Sequence, residues 1–263
     1  MRSDFLPVKA AFFDLDGTLL SHVSHSIPQS ARESLEKLRA KGIKTYLCTG
    51  RHVTELELLP ISDICFDGYI TLNGHLCLDE NKKIVYGLPF PEDTTRALIT
   101  IFKEHQLPLV LVEESGLTLN FINDSVIRAQ KAISTPLPEI APYDGKPIYQ
   151  ATTFASRSED EQIRAMMPLN CHAARWNDQG VDLILDGGGK VAGIRYVLEQ
   201  EGILPEECIA FGDAENDMDM LAFVGIGVAM GNAQEHVKDI ADYVTADVDD
   251  DGIEKALRYW RVL

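Results

Sequence analysis

At 263 residues the chain exceeds one ordinary domain of roughly 150 and falls short of two, so a large α/β domain or a core with a smaller insert is expected. With 45% hydrophobic and 25% charged residues it has the balance of a soluble globular protein, and it is long enough to bury a core without staples. Against 24 Lys plus Arg stand 41 Asp plus Glu; the formal net charge of −17 argues against nucleic acid and against a polybasic membrane contact.

The chain begins Met1, Arg2, Ser3, Asp4, and its first apolar run stops at Asp14, which is not a secretory pattern. The longest charge-free stretch, residues 220–234, is shorter than the roughly 18 apolar residues of a spanning helix and holds Gly225, Gly227 and Gly231. A cytoplasmic location is therefore expected. The five cysteines, Cys48, Cys65, Cys77, Cys171 and Cys208, are scattered without a C-x-x-C pair, so reduced thiols are expected rather than disulfides or a metal framework.

In chain order, residues 9–14 read as a strand buried on both faces, 28–41 as a helix stopped by Gly42, and 44–49 as a second strand. A helix at 53–59 and a strand at 67–72 complete a strand–helix–strand alternation, the pattern of a doubly wound parallel sheet. The pattern then changes. A hairpin at 76–88, a helix at 91–105, a second hairpin around Ser115-Gly116 and a helix at 126–133 lead into a loop at 134–147, which carries Pro136, Pro138, Pro142 and Pro147. Strands at 148–155, 171–176 and 181–185 with a helix at 159–167 make an inserted α+β layer. From Gly189 the first pattern resumes, with helices at 190–199, 217–223, 234–240 and 253–260 and strands at 209–212, 225–229 and 243–245. The expected division is a core of residues 1–81 and 184–263 with an inserted domain at 82–183.

Four features fall at the carboxyl ends of expected strands or open a helix, where open α/β sheets bind ligands. They are Asp14-Leu15-Asp16-Gly17-Thr18, Thr49-Gly50-Arg51, Lys190 after three glycines, and Gly212-Asp213-Ala214-Glu215-Asn216-Asp217. Together they describe phosphoryl transfer. One carboxylate can attack phosphorus, and a second can protonate the leaving oxygen and then take a proton from water. Asp213 can bring a hard divalent cation beside the nucleophile, and Mg²⁺ suits oxygen ligands. Thr49 and Lys190 can bind the remaining phosphate oxygens. Each piece alone has a simpler reading as a turn, a helix cap or a solvated lysine; their joint order does not.

That order, D-x-D-G-T, T-G-R, K, then G-D-x-x-N-D-x-x-M, resembles the haloacid dehalogenase-like phosphatase superfamily. Asn73-Gly74, residues 212–220, the segment 227–233 and Asp251-Gly252 are similar to its Cof-type branch, and the insert has the position and length of that branch's C2B cap. The resemblance implies Asp14 as nucleophile, Asp16 as general acid/base, and Thr49 with Gly50 and Lys190 at the phosphate. It implies Mg²⁺ held by Asp14, the backbone carbonyl of Asp16 and Asp213, with Asn216 and Asp217 supporting metal and phosphate. Asn73 and, in the cap, Arg175 are further candidates for the substrate. The implied activity is a Mg²⁺-dependent phosphatase of small phosphorylated metabolites, sugar phosphates foremost. The alternatives are a phosphomutase on the same fold and a non-enzymatic phosphometabolite sensor. The oligomeric state is open, a monomer being compatible. His75, where the branch commonly has a small residue, could alter the pocket. Residues 247–252 resemble the start of a calcium loop, but position twelve is Arg258 rather than Glu, so a turn before the last helix is expected instead.

Overall fold

The computed structural model describes residues 6–133, 135–176 and 178–263. The opening residues 1–5, read above for a leader, and Ser134, in the proline-rich loop, lie outside the described residues, as does Asn177. No described helix is long and apolar enough to cross a membrane.

Two sheets organise the chain. The first has eight strands, in the order β14-β13-β12-β1-β2-β3-β4-β5. These are β1 (Ala10–Phe13), β2 (Lys44–Cys48), β3 (Gly68–Thr71), β4 (Leu76–Asp79), β5 (Ile84–Gly87), β12 (Cys208–Gly212), β13 (Ile226–Ala229) and β14 (Tyr243–Val244). From β14 to β3 neighbouring strands run parallel; β4 and β5 add an antiparallel edge. Ala11 and Phe13 of β1 join one apolar layer with Leu35 and Leu38 of α1 (Gln29–Ala40) and Ile253, Ala256 and Leu257 of α9 (Gly252–Tyr259). Ala10 and Phe12 join the other, with Ile194 and Leu198 of α6 (Lys190–Glu201) and Met220 and Leu221 of α7 (Met218–Phe223). Period-two alternation with apolar residues on both sides is what a sheet covered by helices on both faces requires. Phe13 stacks on Phe211 of β12 with ring centroids 5.0 Å apart. Each fully buried Phe contributes roughly 1.5–3 kcal/mol.

The second sheet has the order β10-β11-β9-β6-β7-β8. Its strands are β6 (Leu109–Val112), β7 (Leu117–Leu119), β8 (Glu139–Ile140), β9 (Gln150–Phe154), β10 (Cys171–Arg175) and β11 (Gly180–Leu185). Leu109 and Leu111 pack with Leu98, Ile101 and Phe102 of α3 (Glu92–Lys103) and Ile163 of α5 (Asp160–Met166). Val110 and Val112 face the other way, with Phe154, Val126 and Ala129 of α4 (Asp124–Ala132) and Leu72 and Leu76 of the first unit. The insert therefore turns one face of its sheet toward the carboxyl ends of β1–β3.

Three expectations are corrected. A division at residue 82 would cut the β4–β5 hairpin, both strands of which belong to the first sheet, and β11 runs to Leu185, past the return at 184. The expected loop 134–147 contains β8, a two-residue edge strand parallel to β7. It forms between Pro138 and Pro142, an edge being where proline's missing donor is tolerated. The helices expected at 53–59 and 234–240 shorten to α2 (Val53–Leu56) and α8 (Glu235–Lys238). The acidic segment 247–252 is a single turn of 3₁₀-helix in which Asp247 accepts from the Asp249 backbone N–H, ahead of α9.

Candidate active site

Strands β12, β1, β2 and β3 are adjacent, so the segments that leave them converge: Asp213, Asp14, Thr49 and Asn73. Asp14 is tied in by its backbone, donating to the Phe211 carbonyl at 3.0 Å; the Thr49 N–H donates to Ile70 at 2.8 Å. Lys190 opens α6 and is wholly buried. Its Nζ donates to Asp14 Oδ1 at 2.6 Å, Asp217 Oδ1 at 2.6 Å and the Cys48 carbonyl at 2.9 Å. An ammonium has three N–H bonds, and all three are taken. Lys190 thus holds Asp14 in place here; the direct phosphate contact implied by the sequence requires one of these bonds to be exchanged. Burial opposes its charge, but Asp14 and Asp217 more than offset this and hold the ammonium above its usual range.

Asp217 uses both oxygens. Oδ2 accepts from the Asp213 and Ala214 backbone N–H groups, each at 3.0 Å, while Oδ1 takes Lys190. Its part is to shape the 213–217 loop. Asp213 accepts from Thr18 Oγ1 at 2.8 Å and from Asn232 Nδ2 at 3.3 Å. Burial and then the Asp217 charge push the Asp14 carboxyl up to about 7; burial and then Asp14 raise Asp213 well above the carboxylate range. One oxygen from each of Asp14, Asp213 and Asp217 lies within 4.8 Å of the others. Hard oxygens crowded in a buried place fit a divalent cation, whose charge would offset both the burial and the carboxylates' mutual repulsion. Gly17 is the close approach that allows this: its φ is +86°, and a Cβ there would stand 2.3 Å from Asp213 Oδ2. Gly17→Ala is expected to raise the metal concentration for half-maximal activity by about tenfold or more, the size of effect typical when a ligand's support is disturbed; an unchanged titration would contradict it.

Asp16 is partly exposed and meets Arg51. Nε donates to Oδ2 at 2.6 Å and an η-nitrogen to Oδ1 at 2.7 Å, a bidentate pair. The same guanidinium donates to Thr135 Oγ1 at 2.8 Å and the Ile133 carbonyl at 3.3 Å in the insert. Asn73, with φ of +50°, is a second bridge. Its Nδ2 donates to Gln150 Oε1 at 3.0 Å and Asp182 Oδ2 at 2.8 Å, and its Oδ1 accepts from Asn216 Nδ2 at 2.9 Å. A cavity of about 280 Å³ lies between the two units, lined by Asp14, Asp16, Thr49, Gly50, Asp213 and Asn216 from the first and by Gln150, Thr152, Phe154, Trp176 and Asp182 from the second.

The structure brings together Asp14, Asp16, Thr49, Gly50, Asp213 and Asn216 at the cavity, with Lys190, Asp217 and Asn73 directly behind it. It does not bring Arg175 there. Arg175 is buried, pairs with Asp160 and donates to the Ala155 carbonyl at 3.0 Å, beside a separate cleft. Trp176, the residue just past the end of β10, lines the cavity, whereas Arg175, the last residue of the strand, lines the other cleft. His75 is outside the cavity lining as well: Nδ1 bonds the Leu72 carbonyl at 2.8 Å and the ring stands edge-on to Phe90. Asp182 and Gln150 were not legible as site residues; Arg51 stood in the Thr49-Gly50-Arg51 motif, but its pairing with Asp16 and its reach to the insert were not read from it.

Residues 11–257 match the haloacid dehalogenase-like hydrolases. The chain belongs to that family, and it is an enzyme of the phosphatase type its motifs imply. It is 34% identical to the subclass IIB sugar phosphatase BT4131, with a TM-score of 0.87 over 97% of this chain and 100% of that one. With BT1666 from Bacteroides thetaiotaomicron, a phosphatase of the same superfamily, it shares 29% identity and a TM-score of 0.88 over 100% and 98% of the two chains. The pyridoxal phosphate phosphatase YbhA of Escherichia coli is 29% identical over 91% of this chain and 94% of its own length.

Proposed function

We propose that this chain is a Mg²⁺-dependent phosphatase that hydrolyses small phosphorylated metabolites, sugar phosphates foremost, through an aspartyl-phosphate. The observation that carries the reading is the Lys190–Asp14 bond beside Asp16. It occupies Asp14 Oδ1 and leaves Oδ2 to attack phosphorus in line with the leaving oxygen. Asp16, whose two oxygens here accept from Arg51, must exchange one of those bonds and take up a proton; it then gives that proton to the leaving oxygen as the ester bond breaks and accepts one from the water that cleaves the aspartyl-phosphate and restores Asp14. The Thr49 hydroxyl and the backbone at Gly50 orient the phosphate. Asp14, the Asp16 carbonyl and Asp213 would hold Mg²⁺, which supplies positive charge against the phosphate oxygens. The second sheet closes the cavity and excludes bulk water. Likeness to a sugar phosphatase supports the substrate class.

The test is release of inorganic phosphate from a panel of hexose, pentose and triose phosphates, with Mg²⁺ and then with chelator. Turnover is expected to vanish with chelator and to return with added Mg²⁺. Isomer formation without phosphate release, or turnover indifferent to chelator, would overturn the reading. Asp16→Asn is expected to lower kcat by roughly 10²–10⁴-fold, the usual worth of a general acid; unchanged turnover would remove Asp16 from that role.

A further inference from the structure

Asp182 lies on β11 opposite Thr152 of β9, which lies opposite Val110 of β6, so one row of the second sheet faces the catalytic cavity. Its carboxylate is buried and meets only neutral donors. Thr152 Oγ1 donates to Oδ1 at 2.7 Å, Trp176 Nε1 to Oδ1 at 3.1 Å, and Asn73 Nδ2 to Oδ2 at 2.8 Å. No ion pair reaches it among the described residues. Burial lifts its carboxyl to about 6, against the three hydrogen bonds that favour the carboxylate. A Cβ on Gly50 would stand 3.2 Å from Asp182 Oδ2, which places this charge directly over the phosphate-binding turn.

A second carboxylate, Glu55, lines the same cavity; one of its oxygens accepts from the His52 backbone N–H at 2.9 Å. Of the cavity's basic side chains, Arg51 is paired with Asp16, burial pushes the His52 imidazole below its usual range, and His22 is exposed. On the same face of the second sheet as Asp182, Val110, Val112, Leu117 and Phe154 form an apolar wall of the cavity. A desolvated carboxylate without a cation is costly, and a ligand that brings one offsets that cost. A second anionic group on the ligand would be repelled instead.

We infer that Asp182 is a specificity residue that selects phosphate esters whose leaving group carries an amino or protonated nitrogen group. The leaving group sets its nitrogen against Asp182 and an apolar flank against the valines, and esters with a second acidic group are excluded. This rests on the phosphatase reading above and narrows its substrate class.

The test uses matched pairs: O-phosphoethanolamine against ethyl phosphate, and glucosamine 6-phosphate against glucose 6-phosphate, with 6-phosphogluconate as the acidic member. In the wild-type protein with Mg²⁺, kcat/KM for the amino member of at least one pair is expected to exceed its partner's by about tenfold, as for a hydrogen bond to a charged group. The acidic member is expected to be the poorest. Asp182→Asn is expected to bring the amino-to-neutral ratio toward one, and Glu55→Gln to relieve the exclusion of 6-phosphogluconate. Amino-to-neutral ratios near or below one in the wild-type protein would overturn the inference. So would an Asp182→Asn variant that slows both members equally, the sign of a purely structural role. Either result leaves the phosphatase reading standing. Absence of turnover on every ester would overturn that reading and the inference together.

Discussion

Asp14→Asn is expected to lower phosphate release by more than about a thousandfold, because the amide cannot act as the nucleophile and no other carboxylate has a free oxygen in its place. Asp217 spends both oxygens on Lys190 and the 213–214 backbone, and Asp16 is turned toward Arg51. Retained Mg²⁺-dependent turnover in this variant would overturn the aspartyl-phosphate mechanism. The same variant has a stability signature. In the metal-free folded protein, burial and the Asp217 charge push the Asp14 carboxyl up to about 7 against the opposing Lys190 charge, whereas its value in the unfolded chain is near 3.8. Between these values the unfolded state binds fewer protons, so the Asp14 contribution to metal-free stability is lost as pH rises through the window. The melting temperature of Asp14→Asn relative to wild type is therefore expected to climb from pH 4 to pH 7. A flat difference would show that Asp14 is ionised throughout.

Lys190→Met is expected to be the most damaging change to stability. It leaves Asp14 and Asp217, both buried, facing each other without the ammonium that now lies 2.6 Å from each. Breaking a buried ion pair by removing one partner costs about 3–5 kcal/mol. For a chain of this size that lowers the melting temperature by about 10 °C. Adding Asp217→Asn removes one of the stranded charges and is expected to recover part of the loss without recovering activity. Such non-additivity is the mark of residues that share one network. A single variant as stable as wild type would mean that the carboxylates are neutral in the folded state.

The core of the site was legible because its signals are local. Asp14, Thr49 and Asp213 each stand directly after a short apolar run, and a strand that ends in a polar turn places that turn at the sheet's carboxyl edge. The insert was legible only as a set of elements. Both faces of β6 are apolar, so alternation does not say which valines look at the site; the packing of α3 and α5 on Leu109 and Leu111 decides it. Arg175 drew notice because Arg175-Trp176 is similar to sequences in sugar-phosphatase members of the branch, yet the cavity is reached by Trp176, just past the end of β10, while Arg175 pairs with Asp160. Asp182 gave no signal because its partners, Asn73 and Thr152, lie 109 and 30 positions away. The β4–β5 hairpin read as the start of the insert because antiparallel pairing looks the same in sequence whichever sheet it extends.

The Arg51 guanidinium touches Asp16 and, 84 positions along the chain, Thr135. Ile133 and Thr135 belong to the insert, just past the end of α4, and connecting segments of this kind are ordinarily the freest to drift. Here drift has a limit. A replacement at Thr135 changes what the guanidinium can hold on one side, and the acid on its other side feels the change. An engineer who reshapes this loop is also adjusting the partner of Asp16, the proposed proton donor, so variants of Thr135 are to be compared with variants of Asp16.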